Sequence, residues 1–522
     1  MRLGIDVGGT NTDAVLICDK KVLASTKQPT SEDIAGGIIA AIQQVATDAG
    51  ITYSEIKAVM IGTTQFTNAF VERKRLDRVA AIRLCLPASQ SLPPFSDWPS
   101  DLLEAIDARY YLSAGGYEYN GEQISPLDTG DLENIASDLK KRDIHSVAIS
   151  SVFAPVQSEM EERAAEILKR YNPNLAITLS KDIGRIGLLE RENAAIMNAS
   201  LASHAKKVVA SFKKALLALG ISAPFYLTQN DGTLMQAEQV AQFPILTFSS
   251  GPTNSMRGAA WLSGINSGLV VDIGGTTSDI GALLNGYPRE SSVSVDIGGV
   301  RTNFRMPDVL ALGVGGGSLV AKTGQVGPKS VGHELLSAAK VFGGETLTAS
   351  DVAVASGRAR FGNKERLSDI CPTLIEQALV SIQEQLEEGV DRMKTQAGEL
   401  PVILVGGGSI LLGDVLEGAS DIVRPPHFAV ANAVGAAIAQ VGGEVDKVYG
   451  YASTPREEAI ADAKAKAISS AFEAGASEDS IAIIDIEEVP LAYLPNGAVR
   501  VRVKAVGDLA DQAVSEGQNE NS

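Results

Sequence analysis

Two eight-residue segments share a spacing suited to phosphate chemistry. Asp6-Val7-Gly8-Gly9-Thr10-Asn11-Thr12-Asp13 stands near the start, and Asp272-Ile273-Gly274-Gly275-Thr276-Thr277-Ser278-Asp279 about half a chain later. Both lie between apolar runs, so each reads as strand, turn, strand. Glycine pairs let the backbone take positive φ and approach a ligand closely. The consecutive amides of such a turn form an anion-binding concavity. Thr10, Asn11 and Thr12, and likewise Thr276, Thr277 and Ser278, add side-chain hydrogen bonds to phosphate oxygens. Asp6 and Asp272 precede the turns, placed to hold Mg²⁺ directly or through water, because that ion keeps most of its hydration. Asp13 and Asp279 have two readings: proton transfer or magnesium binding, or closure of the turn by hydrogen bonding. One copy alone would pass for an ordinary hairpin, but two copies in equivalent contexts point to phosphate. Asp296-Ile297-Gly298-Gly299 begins the same way, lacks the threonine and the closing aspartate, and reads as a turn.

A different glycine cluster, Val405-Gly406-Gly407-Gly408-Ser409, follows the apolar strand Pro401–Val405 and opens what reads as a helix. Glycines there let a base or ribose lie against the backbone. The order of phosphate turn, phosphate turn and adenosine turn resembles the actin-like ATPases (sugar kinases, Hsp70 and actin), in which two ribonuclease-H-like domains clamp ATP and Mg²⁺ in a cleft. The sequence contains no P-loop and no dinucleotide-binding glycine fingerprint after a strand. A nucleophile elbow and a zinc-binding H-E-x-x-H helix are also missing.

The elements that must carry these turns are short aliphatic strands alternating with helices, the pattern of an α/β fold. Strands are expected at Leu3–Ile5, Ala14–Ile17, Ala58–Ile61, Ser146–Ser150, Gly268–Asp272, Ile280–Leu284 and Pro401–Val405. Helices are expected at Asp131–Lys141, Glu159–Arg170, Leu188–His204 and Thr373–Thr395. Three regions follow: an N-terminal domain over 1–265 with an insertion at about 86–130, a second ATPase-like domain over 266–443, and a small α+β appendage over 444–522. The appendage is expected to hold one helix, Pro455–Ala474, two strands, Ile481–Val489 and Ala498–Ala505, and a frayed polar tail at Glu516–Ser522.

Composition narrows the classes. The 522 residues carry a net charge of −18, which argues against a nucleic-acid partner, since phosphate neutralisation needs a basic footprint. No apolar run reaches membrane-span length; the longest, Phe428 to Val441, is interrupted by Asn432 and Gln440. Cys18, Cys85 and Cys371 lie far apart and match neither a disulfide framework nor a zinc spacing. A cytoplasmic protein is expected. Glycine, at 51 residues, is in excess, and much of that excess sits at the turns above.

Further blocks carry a narrower resemblance. They are Gly62-Thr63-Thr64-Gln65-Phe66-Thr67-Asn68-Ala69 with Glu72-Arg73, Glu190-Arg191-Glu192-Asn193 with Asn198, and Ser250-Gly251-Pro252 with Gly258-Ala259-Ala260. Gly313-Val314-Gly315-Gly316-Gly317-Ser318, Gly327-Pro328-Lys329-Ser330 and Leu347-Thr348-Ala349-Ser350-Asp351 continue the series. Together, over about residues 1–440, they resemble the hydantoinase A/5-oxoprolinase family. That resemblance implies an ATP- and Mg²⁺-dependent hydrolase of cyclic amides, in which ATP phosphorylates the carbonyl oxygen of a lactam or hydantoin before ring opening. Related members activate ketones for carboxylation by the same first step. It also implies a separate hydantoinase B-type or other partner subunit, and leaves homo-oligomerisation open.

Carried over residue by residue, the resemblance puts magnesium at Asp6 and Asp272, phosphates at Gly8–Thr12 and Gly274–Ser278, and adenosine at Gly406–Ser409. Glu192 and Asn193 either face the cleft or form a solvated or capping polar face. Where common members continue with small residues and prolines after Ser330, this chain has Val331-Gly332-His333-Glu334. His333 is thus either a substrate or metal contact or a structural residue. Two other activities use the same clamp: a small-molecule kinase, and a nucleotide-switched activator ATPase without its own substrate.

Overall fold

The computed structural model describes residues 1–9, 11–29, 34–291, 294–304, 306–491 and 497–510. Thr10 and the 516–522 tail lie outside the described residues. The fold is mixed α/β, and the chain forms two compact units, one of residues 1–232 with 236–438 and one of residues 233–235 with 439–522.

The first unit repeats one local topology. Strand Arg2–Val7 pairs antiparallel with Asn11–Cys18 and parallel with Ala58–Thr63. Strand Gly268–Ile273 pairs antiparallel with Ser278–Leu284 and parallel with Leu400–Val405. Each central strand thus has a hairpin partner on one side and a parallel neighbour on the other. Leu3, Ile5, Val270 and Val271 are fully buried, as expected of central strands covered on both faces. Lys21–Pro29 extends the first hairpin, and Val309–Leu312 pairs antiparallel with the second.

A separate parallel sheet, in the order Arg109–Ala114, Val79–Leu86, Ser146–Ser151, Ala176–Leu179, carries helices Thr129–Lys141 and Glu159–Tyr171 on its own apolar cluster. The Asp128 carboxylate accepts the Asp131 amide at 2.9 Å and caps the first of these helices. Within the expected insertion at about 86–130 stands a short helix, Ser100–Ala105, and Trp98 packs edge-on against Phe70 and Phe95. Leu188–His204, expected as one helix, divides at Leu201 into Leu188–Ser200 and Ala202–Ala218. Asp296-Ile297-Gly298-Gly299 is a hairpin turn, with both glycines at positive φ.

Helices Ser250–Ser263 and Ala431–Ala437 cross at very short range. A Cβ on Gly435 would stand 1.8 Å from the Asn254 carbonyl oxygen, so only glycine permits this approach. The contact sets the position of Asn432 and Ser255 in the site described below.

In the second unit, helix Arg456–Glu473 buries Ala459, Ala463, Ala467 and Ala471 against Val499, Val501 and Val503 of strand Ala498–Gly507. The four-residue spacing puts the alanines on one helix face. Strand Gln440–Gly450 runs through Gly442-Gly443, across the expected 443/444 boundary, and glycine is required there. The reason is packing: a Cβ on Gly443 would come within 2.2 Å of the Ala471 amide nitrogen. No helix among the described residues is long and apolar enough to cross a membrane.

Candidate functional site

The two hairpins close alike: Gly8 N–H donates to the Asn11 carbonyl at 3.0 Å, and Gly274 N–H to the Thr277 carbonyl at 2.8 Å. Their registers set Asp6 opposite Asp13 and Asp272 opposite Asp279. The pairs lie near enough for charge to act between hairpins, since Asp272 feels both Asp13 and Lys27.

Electrostatics separates the four carboxyls. Asp6 is pushed up to about 7, first by burial and then by the Asp13 charge, while its hydrogen bond from Asn432 pulls the other way. Asn432 Nδ2 donates to Asp6 Oδ2 at 2.8 Å. Asp6 Oδ1 is buried and receives no hydrogen bond among the described residues. Asp13 is buried, and Lys27 Nζ donates to its two oxygens at 2.7 and 2.6 Å, opposing the rise that burial causes. Asp272 is raised by burial, against a hydrogen bond from Ser255. Asp279 is pushed up to about 7 by burial and by the Asp272 charge, with no opposing cation among the described residues.

Among the described residues no three His, Cys, Asp or Glu side chains converge as a ready-made metal cage. Mg²⁺ does not require one, because it binds one or two carboxylates and completes its shell with water and substrate phosphate. Asp6 Oδ1, buried and without a hydrogen bond among the described residues, is a hard oxygen donor of that kind. The donor set therefore fits the ion.

The glycines after Leu400–Val405 lead into a short 3₁₀ turn, Ser409–Leu411, where the sequence reads as a helix. Gly408 N–H donates to the Ile273 carbonyl at 2.7 Å, tying this turn to the second hairpin. A Cβ on Gly407 would meet nothing within 4 Å, so open space lies in front of it. Gly406 has φ +86°, and a Cβ there would stand 2.2 Å from Asp272 Oδ1.

The loop Gly313–Ser318 braces the second turn with its backbone. Gly316 N–H donates to the Gly274 carbonyl at 3.0 Å and Gly317 N–H to the Gly275 carbonyl at 2.7 Å. Ser278 Oγ donates to the Val314 carbonyl at 2.6 Å. The Gly316 and Gly317 amides are thus committed to the turn. Thr348-Ala349-Ser350-Asp351 is a helix capping box, with the Asp351 carboxylate accepting the Thr348 amide at 2.7 Å.

Three sequence candidates stand elsewhere. Glu192 is buried in an ion pair with Arg83, accepting at 2.5 and 2.8 Å, and also accepts Ser150 Oγ at 2.6 Å. Its oxygens are occupied, and the side chain braces helix Leu188–Ser200 against the parallel sheet. Asn193 bonds the Trp98 indole N–H and the Arg301 carbonyl. His333 lies exposed on a 3₁₀ turn and makes no side-chain hydrogen bond among the described residues.

Sequence reasoning missed Lys27, Asn432 and Ser255. A signal existed for two of them. Lys27 is the cross-strand partner of Asp13 in a three-strand meander, and Asn432 is the polar residue that interrupts the apolar run Phe428–Val441.

The hydantoinase/oxoprolinase N-terminal region model matches residues 2–172, and the hydantoinase/oxoprolinase model matches residues 191–362. The caprolactamase subunit alpha of Pseudomonas jessenii is 26% identical over 381 residues, covering 68% of this chain and 54% of that protein. The acetophenone carboxylase gamma subunit of Aromatoleum aromaticum is 24% identical over 399 residues, covering 68% and 53%. This chain thus spans about half the length of both curated relatives. The crystal structure of the ATP-dependent caprolactamase from Pseudomonas jessenii superposes with a TM-score of 0.77 at 19% identity, covering 98% of this chain and 88% of that one. The chain belongs to the hydantoinase/oxoprolinase family.

Proposed function

We propose that this hydantoinase/oxoprolinase-family chain is the ATP-using subunit of an enzyme that activates a cyclic amide carbonyl, as in a lactam or hydantoin, for ring opening. The observation that carries the reading is the meeting of two Asp-Gly-Gly hairpins, which sets four carboxyls and Lys27 within electrostatic reach. In this reading the two hairpin sheets are the halves of an actin-like clamp. The turns at Gly8–Thr12 and Gly274–Ser278 hold the ATP phosphates, and Gly406–Ser409 takes the adenosine.

Asp6 and Asp272 hold Mg²⁺, which supplies charge neutralisation at the phosphates. An amide is a poor electrophile, and transfer of the γ-phosphoryl group to its oxygen turns that oxygen into a leaving group. Lys27 offsets the negative charge that gathers as the phosphoryl group moves. Asp279 can accept a proton near neutrality, as a general base must. Water then adds at the activated carbon, the ring C–N bond breaks, and a second water frees phosphate. A hydantoinase B-type partner subunit fits this division, with the chain described here supplying the ATP half.

The test is ADP and phosphate release against a lactam and hydantoin panel, with and without a co-purified partner. Ring-opened product with free phosphate supports the reading. A stable phosphorylated product would make the chain a kinase, and turnover that responds only to a partner protein would make it an activator ATPase. The likeness to an acetophenone carboxylase subunit favours a second reading, activation of a ketone for carboxylation. Turnover that requires bicarbonate and a ketone distinguishes it.

A further inference from the structure

Beyond the carboxylate cluster, the first unit holds an open cavity of about 530 Å³ lined by Lys20, Lys21, Val22, Trp261, Leu262, Pro426 and His427. Cavities of this size suit small organic ligands. Three separate stretches of chain build it: the hairpin tip after Asn11–Cys18, the end of helix Ser250–Ser263, and the loop after strand Ala419–Val423. Its floor is apolar, because Val22, Trp261 and Leu262 pack on the buried cluster of Val15, Ile17, Val430 and Val434.

The rim differs in kind. Lys20, Lys21 and His427 are exposed, and none of their side chains has a hydrogen bond or an acidic partner among the described residues. The nearby Arg424 shows the alternative, since its guanidinium is taken up by Asp414 and by two backbone carbonyls. The Trp261 indole N–H likewise has no acceptor among the described residues. Two lysines, a tryptophan and a histidine therefore line a space that has no carboxylate among its lining residues, in a chain whose net charge is −18. Such a rim attracts an anion, and a tryptophan in the lining favours a flat apolar body.

The cavity is not the phosphate site. Asp13 and Cys18 are five residues apart on one extended strand, about 17 Å at ~3.4 Å per residue, and Lys20 lies beyond Cys18. We propose that this cavity is a second ligand site, which takes a small carboxylate with a flat apolar body. The ring lies on Trp261, and the carboxylate sits among Lys20, Lys21 and His427.

Benzoate is the probe, titrated into the full chain and followed by tryptophan fluorescence and by calorimetry. Trp261 and Trp98 are the two tryptophans, and Trp98 is buried in the Phe70–Phe95 cluster. Benzoate should quench the emission saturably, whereas benzamide, its neutral isostere, should not. The Lys20→Gln/Lys21→Gln double variant, a surface change that spares the core, should weaken benzoate at least tenfold. Asp279→Asn should leave benzoate affinity unchanged. The proposal is overturned if benzoate fails to saturate, if benzamide binds equally, or if the double variant binds like the wild type. It is also overturned if Asp279→Asn shifts benzoate affinity tenfold, since loss of that negative charge would strengthen an anion bound in the carboxylate cleft. None of these outcomes depends on ATP turnover.

Discussion

Asp279→Asn should stabilise the protein at alkaline pH while removing its activity. Asp279 lies partly buried beside Asp272, and its carboxyl is pushed from its ordinary 3.8 to about 7. Between those values the folded state holds a proton that the unfolded chain has released, so stability falls as pH rises from about 4 to 7 and levels off above. At about 1.4 kcal/mol for each tenfold in proton affinity, the ionised carboxylate costs the fold about 4 kcal/mol at pH 8. Asparagine keeps the shape and never ionises. Urea denaturation should therefore find the variant and the wild type alike near pH 4 and the variant more stable by up to about 4 kcal/mol at pH 8. Asp6 and Glu161, also pushed up to about 7, are present in both proteins and cancel from the difference. The same substitution should abolish the rise of ATP turnover with pH near 7. A stability difference that does not change with pH would refute the assigned ionisation, and wild-type turnover in the variant would refute the base.

Gly406→Ala combines a left-handed φ, costing ~1–2 kcal/mol for a residue with a Cβ, with contacts of 2.2 Å to Asp272 Oδ1 and 2.4 Å to the Ile273 carbonyl. Asp272 must move, so steady-state assays should show KM for Mg·ATP raised at least tenfold; an unchanged KM would remove this turn from the nucleotide site. Lys27→Met should lower kcat at least a hundredfold with a smaller change in KM, and Lys27→Arg should recover part of it. Glu192→Gln leaves the Arg83 guanidinium buried without its counter-charge, which should cost about 3 kcal/mol in urea denaturation. Its KM for Mg·ATP should not move, because Glu192 is spent on Arg83.

The hairpins were legible because everything that makes them is local. In Asp-x-Gly-Gly-x-x-x-Asp the glycines place the reversal midway, so the two aspartates fall opposite each other in the register. What was hidden came from distant chain. Arg83 claims Glu192 across 109 residues, and a lone helix-facing pattern around Glu190-Arg191-Glu192-Asn193 cannot reveal that. Asn432 reaches Asp6 across 426 residues. The Gly-Gly-Gly of Gly313–Ser318 resembles a ligand loop, yet two of its amides go to carbonyls of the second Asp-x-Gly-Gly turn, a pairing that sequence alone does not state. Gly442-Gly443 stands at the boundary expected from the sequence, and the reason for its glycines, the close approach of helix Arg456–Glu473, comes from chain further on, at Ala471.

The near-identity of the two motifs conceals a difference made by the third strand. In the first hairpin, the residue across from Asp13 on Lys21–Pro29 is Lys27. In the second, the residue across from Asp279 on Val309–Leu312 is Ala311. Directly opposed residues share one face of the sheet, so the same aspartate has a cation in one copy and a methyl group in the other. The cation opposes the effect of burial on Asp13, whereas nothing opposes it on Asp279. In the proposed reading this separates an ion-paired anchor from a proton acceptor without any change in the motif itself. Ala311→Lys tests that account, because Ala311 is exposed and can carry the longer side chain. An ammonium within about 4–6 Å lowers a carboxyl by about one to three pH units. The rise of turnover with pH should shift from near 7 toward 5, and the plateau rate should fall because the base is weaker. An unmoved profile would mean that Asp279 does not set it, and the difference between the two third strands would then have no catalytic consequence.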